Sequence, residues 1–171
     1  MKGDITNRVA NSALITIDLS DYKPSESIIE FDVKDFLFEG IILKEKIFRS
    51  SLKELDLIKY KNKIIALFCS EDVVIPMWAY MLIASYLNPV CLDIHFGRKE
   101  DVLQKMILQN INLINAGEFK NQKVIIKGCG GITINESLYI AITKKLQKSV
   151  TSLMFGEACS AVPVYKKKNK K

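Results

Sequence analysis

The chain has 171 residues, 49% of them hydrophobic and 26% charged, with a formal net charge of +6. That is ordinary globular material, one domain by length and long enough to bury a sizeable core. Five of the last six residues are lysines, so residues 166–171 carry most of the excess charge and no basic nucleic-acid face is forced on the body.

The first residues, Met1-Lys-Gly-Asp-Ile-Thr-Asn-Arg, contain no apolar signal core. The longest apolar stretch, Val73 to Leu87, holds a proline and is too short to span a bilayer. A cytoplasmic protein without a membrane segment is expected. There thiols stay reduced, and cysteines serve as metal ligands, nucleophiles or buried packing rather than disulfides.

In chain order, Val9 to Leu19 ends as an alternating strand, and Ser20 to Ser27 breaks it with turn residues. Ile28 to Phe31 reads as a short strand, antiparallel to the first because the gap is too short for a crossover helix. Asp35 to Gly40 reads as a helical turn. Lys44 to Leu57 reads as a helix with Ile47, Phe48, Leu52 and Leu55 on one face.

From Lys63 the pattern changes. Ile64 to Phe68 is apolar without alternation, as in a strand covered on both faces. Cys69 follows it, and Pro76 opens an apolar helix to Leu87. Val90 to Phe96 is a strand closed by Gly97, Glu100 to Asn112 a helix, and Val124 to Lys127 a further strand. Cys129 lies between glycines in the loop that follows. Asn135 caps a helix over Glu136 to Lys148. Val150 to Phe155 is a further strand, Cys159 follows it, and Val162 to Tyr165 reads as an edge strand because of Pro163.

This order predicts an α/β fold: a mostly parallel sheet with helices on both faces, plus an N-terminal α+β extension. Residues 1–165 form one domain, with 1–62 as the extension, 63–165 as the strand–helix series and 166–171 as a disordered basic tail. No internal repeat is evident.

Ligands bind at the carboxyl ends of parallel strands. Cys69, Cys129 and Cys159 each follow a strand, so a single sheet would bring them to one edge. Three thiolates with a fourth ligand suit zinc, or supply most of the ligands of an iron–sulfur cluster. Glu71, Asp72, Glu157 and His95 are nearby donors in sequence, and no CxxC pair is present. Cys91 lies inside a strand and reads as core.

A second reading makes Cys129 a nucleophile. It stands between a strand and a helix N-terminus, in a loop where Gly128, Gly130 and Gly131 leave backbone N–H groups free to cradle an anion. Persulfide-carrying rhodanese-type loops are similar, but they carry an arginine that this loop lacks. A third reading is a non-catalytic interaction module with buried cysteines. No P-loop, GxGxxG, GxSxG or HExxH motif is present.

Several stretches carry a resemblance: Phe68-Cys-Ser-Glu-Asp, Ile75-Pro-Met-Trp-Ala-Tyr-Met-Leu, Lys127-Gly-Cys, and Phe155-Gly-Glu-Ala-Cys-Ser-Ala-Val-Pro-Val-Tyr-Lys. Together with Ile29-Glu-Phe-Asp-Val-Lys-Asp-Phe-Leu-Phe-Glu-Gly and Leu43-Lys-Glu-Lys-Ile-Phe-Arg, they resemble an uncharacterised bacterial family, domain of unknown function 2480 (DUF2480), over almost the whole chain. Cys69, Cys129 and Cys159 match its pattern and His95 does not. The resemblance implies iron–sulfur assembly proteins as partners and brings no established activity.

Overall fold

The computed structural model describes residues 14–168, and these form two compact units. One is Pro24–Leu103; the other joins residues 14–23 to residues 104–168. The elements in chain order are β1 (Leu14–Asp18), β2 (Ile28–Asp32), α1 (Glu45–Lys53), β3 (Ile64–Phe68), α2 (Met77–Leu87), β4 (Asp93–Phe96), α3 (Lys99–Leu113), β5 (Lys123–Lys127), α4 (Glu136–Leu146), β6 (Ser152–Phe155) and β7 (Val162–Lys166). Short 3-10 turns follow β1 and β2 and precede β3 and β5.

The α/β class is as the sequence indicates, but the strands divide between two sheets. One has the order β2-β3-β4, all parallel; the other has the order β1-β5-β6-β7, parallel except for β7. The expected antiparallel pairing of the first two strands is therefore wrong. β1 pairs with β5 and β2 with β3, each in parallel. A short gap excludes a parallel pair between neighbours in sequence; it does not require them to pair at all. β7 is an edge strand, as Pro163 indicated, and Lys166 of the expected tail is its last residue. The tail residues 169–171, and residues 1–13, lie outside the described residues.

Each sheet has a central strand whose apolar residues are buried. β3 is buried at all five positions, and Val124, Ile125 and Ile126 are buried in β5. The unit Pro24–Leu103 has a core of Phe31, Phe48, Leu52, Ile65, Leu67, Ile83 and Leu87 among others. Phe48 lies in it edge-on to Phe36 and Trp78, which accounts for the strongly one-sided α1.

The two units repeat one another, contrary to the expectation of no internal repeat. The correspondence runs at a spacing of 59 residues, from Tyr80 to Tyr139 and from Phe96 to Phe155. Ala79, Ile83 and Leu87 bury the inner face of α2; Leu138, Ile142 and Leu146, at the same spacing, bury that of α4. Asn62 and Asn121 both take positive φ, at 56° and 61°, and donate their N–H groups to Val90 and Ser149. The N–H groups of Gly97 and Gly156 both reach 3.0 Å to the carbonyls of Leu67 and Ile126. Tyr80 meets Phe96 edge-on at 5.6 Å, and Tyr139 meets Phe155 at 5.5 Å. The first strand breaks the register, since β1 precedes β2 by only 14 residues (Asp18 to Asp32). The second copy is thus split, with its first strand placed before the whole of the first copy. A linear self-comparison of the sequence does not expose that order.

Candidate functional site

The carboxyl ends of β1, β5 and β6 carry most of the chemistry of their unit. Asp18 ends β1, and its Oδ1 accepts from the Ser20 N–H at 3.0 Å and from the Ser20 hydroxyl at 2.7 Å. It also accepts from the backbone N–H of Cys129. Burial works to raise the Asp18 pKa, but these three hydrogen bonds, helped by the Lys127 ammonium, outweigh it and hold the carboxyl below its ordinary value. Lys127, the last residue of β5, has Nζ 3.8 Å from Asp18 Oδ2 and 3.4 Å from Glu157 Oε1. The hydrogen bond and charge of Glu157, then Asp18 and a Cys129 thiolate, push its pKa up.

The loop after β5 is held by close approach on both sides. A Cβ at Gly128 would meet the Tyr139 hydroxyl, and a Cβ at Gly130 would collide with the side chain of Ser20. Only glycine admits these neighbours. Between them, Cys129 is exposed. Tyr139 is partly buried, and burial, followed by the charges of Cys129 and Asp18, raises its phenol pKa. Tyr139 also lines a hollow of about 340 Å³ with Ile126, Ile140, Leu153, Phe155 and Val164, almost wholly apolar.

The other unit repeats the arrangement without the same chemistry. Asp32 ends β2 and accepts from the N–H groups of Lys34 and Ser70, each at 3.0 Å. Ser70 is the residue equivalent to Cys129. Burial opposes ionisation of Asp32, and the hydrogen bonds from Ser70 and Lys34 together with the Lys34 charge more than offset it. Cys69 is half-buried against the core of this unit, where its charge, after burial itself, raises the Tyr80 phenol pKa.

The expected convergence of Cys69, Cys129 and Cys159 does not occur on one sheet. β3 ends in the three-stranded sheet, whereas β5 and β6 end in the four-stranded one. Cys69 packs against its own core, and Cys129 and Cys159 are exposed thiols. Among the described residues no group of three or more His, Cys, Asp and Glu side chains is placed to hold a metal ion. The described residues therefore form no zinc or iron–sulfur site, and nothing in the structure supports iron–sulfur assembly partners. His95 hydrogen-bonds Asp93 Oδ2 at 3.0 Å on its own strand. Cys91 lies in the bend before β4 rather than inside a strand, but it does pack against the core, and burial pushes its thiol pKa up. Sequence reasoning missed Asp18, Lys127 and Tyr139. Asp18 was legible only as a strand end, and its link to Cys129 spans two segments that no local motif joins.

No helix among the described residues is long and apolar enough to cross a membrane. No curated protein and no solved structure matches the chain. Residues 3–167 match the family model described as protein of unknown function (DUF2480), and the chain belongs to that family.

Proposed function

We propose that Cys129 is a nucleophilic thiol, the reacting group of an enzyme acting on an electrophilic substrate with an apolar portion. The observation that supports this most is the link from Asp18 to the Cys129 backbone, with Lys127 beside both. The carboxylate fixes the loop, the ammonium places a positive charge beside it, and the exposed sulfur meets solvent. The thiolate lone pair forms the new bond to the electrophilic atom. The leaving group departs with its bonding pair and takes a proton from the Tyr139 phenol, which solvent then restores. The hollow lined by Tyr139 takes the apolar portion. The four free thiols suit a reducing compartment, and the reading keeps the protein in the cytoplasm.

The test is alkylation of Cys129 and Cys159 against pH, each followed by peptide mass spectrometry, in wild type and in Lys127→Met. Cys159 is an exposed thiol on the same unit and serves as the internal reference. Cys129 is expected to react faster than Cys159 at pH 7, and Lys127→Met is expected to slow Cys129 while leaving Cys159 unchanged. Equal rates for the two thiols, or no response to Lys127→Met, overturn the proposal.

A further inference from the structure

The repeat shows what one sheet edge has and the other lacks. β6 is covered on its outer side by β7, which runs antiparallel with Ser152 opposite Lys166, Leu153 opposite Tyr165 and Phe155 opposite Val162. β4 is the equivalent of β6 and carries the same Tyr–Phe contact with the helix before it. Among the described residues, however, the three-stranded sheet ends at β4.

The seam between α2 and β4 is correspondingly open. Val164 of β7 walls the hollow beside β6. Beside β4 there are two hollows, about 570 and 500 Å³, one lined by Met77 and Tyr80 and the other by Met81, Asp93 and Ile94. Met77 and Met81 are 74% and 72% exposed on the surface of α2. An exposed sheet edge beside a hollow is a site at which an extended segment adds as a further strand, with backbone bonds supplying affinity and alternate side chains filling the hollow. Methionine suits such a surface because it adapts to its occupant.

We infer that the β4 edge takes an extended segment of a partner polypeptide, antiparallel to β4, with apolar residues over the α2 seam and a basic residue opposite Asp93. Two observations specify that chemistry. β7 demonstrates the pairing on the equivalent edge and shows an apolar–Pro–apolar–aromatic–basic segment filling it. Asp93 stands where Ser152 faces Lys166, so a basic residue at that register meets an opposite charge across the strands. The chain's own β7 is already engaged by β6.

The probe is a peptide of residues 160–168, Ser-Ala-Val-Pro-Val-Tyr-Lys-Lys-Lys, added to the full chain. Binding is read by fluorescence anisotropy, and its place by backbone amide shifts. The expected result is saturable binding with shifts confined to β4 and α2. Asp93→Lys is expected to weaken it about two- to five-fold or more, in line with cross-strand charge pairs. Met81→Glu, on an exposed helix position, is expected to weaken it without lowering the melting temperature. No binding, or shifts at β6 and α4 that mark displacement of the chain's own strand, overturn the inference. So does self-association of the chain that the peptide abolishes, which assigns the edge to a second copy.

Discussion

The carboxylate of Asp18 accepts a hydrogen bond from the backbone N–H of Cys129, tying the end of β1 to the glycine loop after β5. In the other unit Asp32 accepts from the N–H of Ser70 at 3.0 Å in the same way. A strand-end aspartate thus holds the loop of the neighbouring strand in both copies; one loop exposes Cys129, whereas in the other Ser70 takes that place and the thiol, Cys69, packs against the core.

The Asp18 carboxyl has a folded pKa below its unfolded value, so it adds stability above the unfolded value near 3.9 and loses it as pH falls through the folded value. Asp18→Asn is expected to cost about 1.5–3 kcal/mol at pH 7, the range for hydrogen bonds to a charged group. Urea unfolding at pH 7, 5 and 3 checks this: the gap between wild type and variant should narrow toward pH 3.

Gly130→Ala places a methyl against Ser20. The expected cost is about 1–3 kcal/mol, as for other overpacked sites. The double variant with Ser20→Gly should recover part of it, and a double-mutant cycle by denaturant unfolding measures the coupling.

Ile83 and Ile142 are equivalent and both fully buried, one in each unit. Truncating either to alanine is expected to cost about 2–5 kcal/mol. Hydrogen exchange should show the loss first in the unit that carries the change.

Asn62 and Asn121 occupy the left-handed region with φ of 56° and 61°. Alanine at either place is expected to lower stability by about 1 kcal/mol and glycine by less, since asparagine and glycine tolerate that conformation better. Thermal melts of the four single variants test the ranking.

Much of the fold was legible because its signals are local. The unbroken apolar run of β3, Pro76 before α2, Asn135 before α4 and Pro163 on β7 each mark their element within a few residues. The sheet partners of β1 and β2 were not legible. Leu14 pairs with Lys123 and Ile28 with Ile64, and nothing near either strand selects its partner. The error over the cysteines followed from that one. Cys69, Cys129 and Cys159 do follow strands, but a shared edge requires a shared sheet. Cys129 remained in the candidate site because its glycine neighbours mark a close approach. Asp18 and Lys127 entered it only through strand pairing.

The split order of the two copies has a consequence for how the chain folds. Every strand of the β2-β3-β4 sheet lies within the continuous segment Pro24–Leu103. During synthesis that segment has all its strands available while β5 is still unmade, so β1 must wait. Joining β1 to β5 closes a loop from Leu14 to Lys123, against Ile28 to Ile64 for β2 and β3, at an additional entropic cost of about 1 kcal/mol. The Cys129 loop, whose anchor is Asp18, is therefore assembled last, in the slower of the two copies.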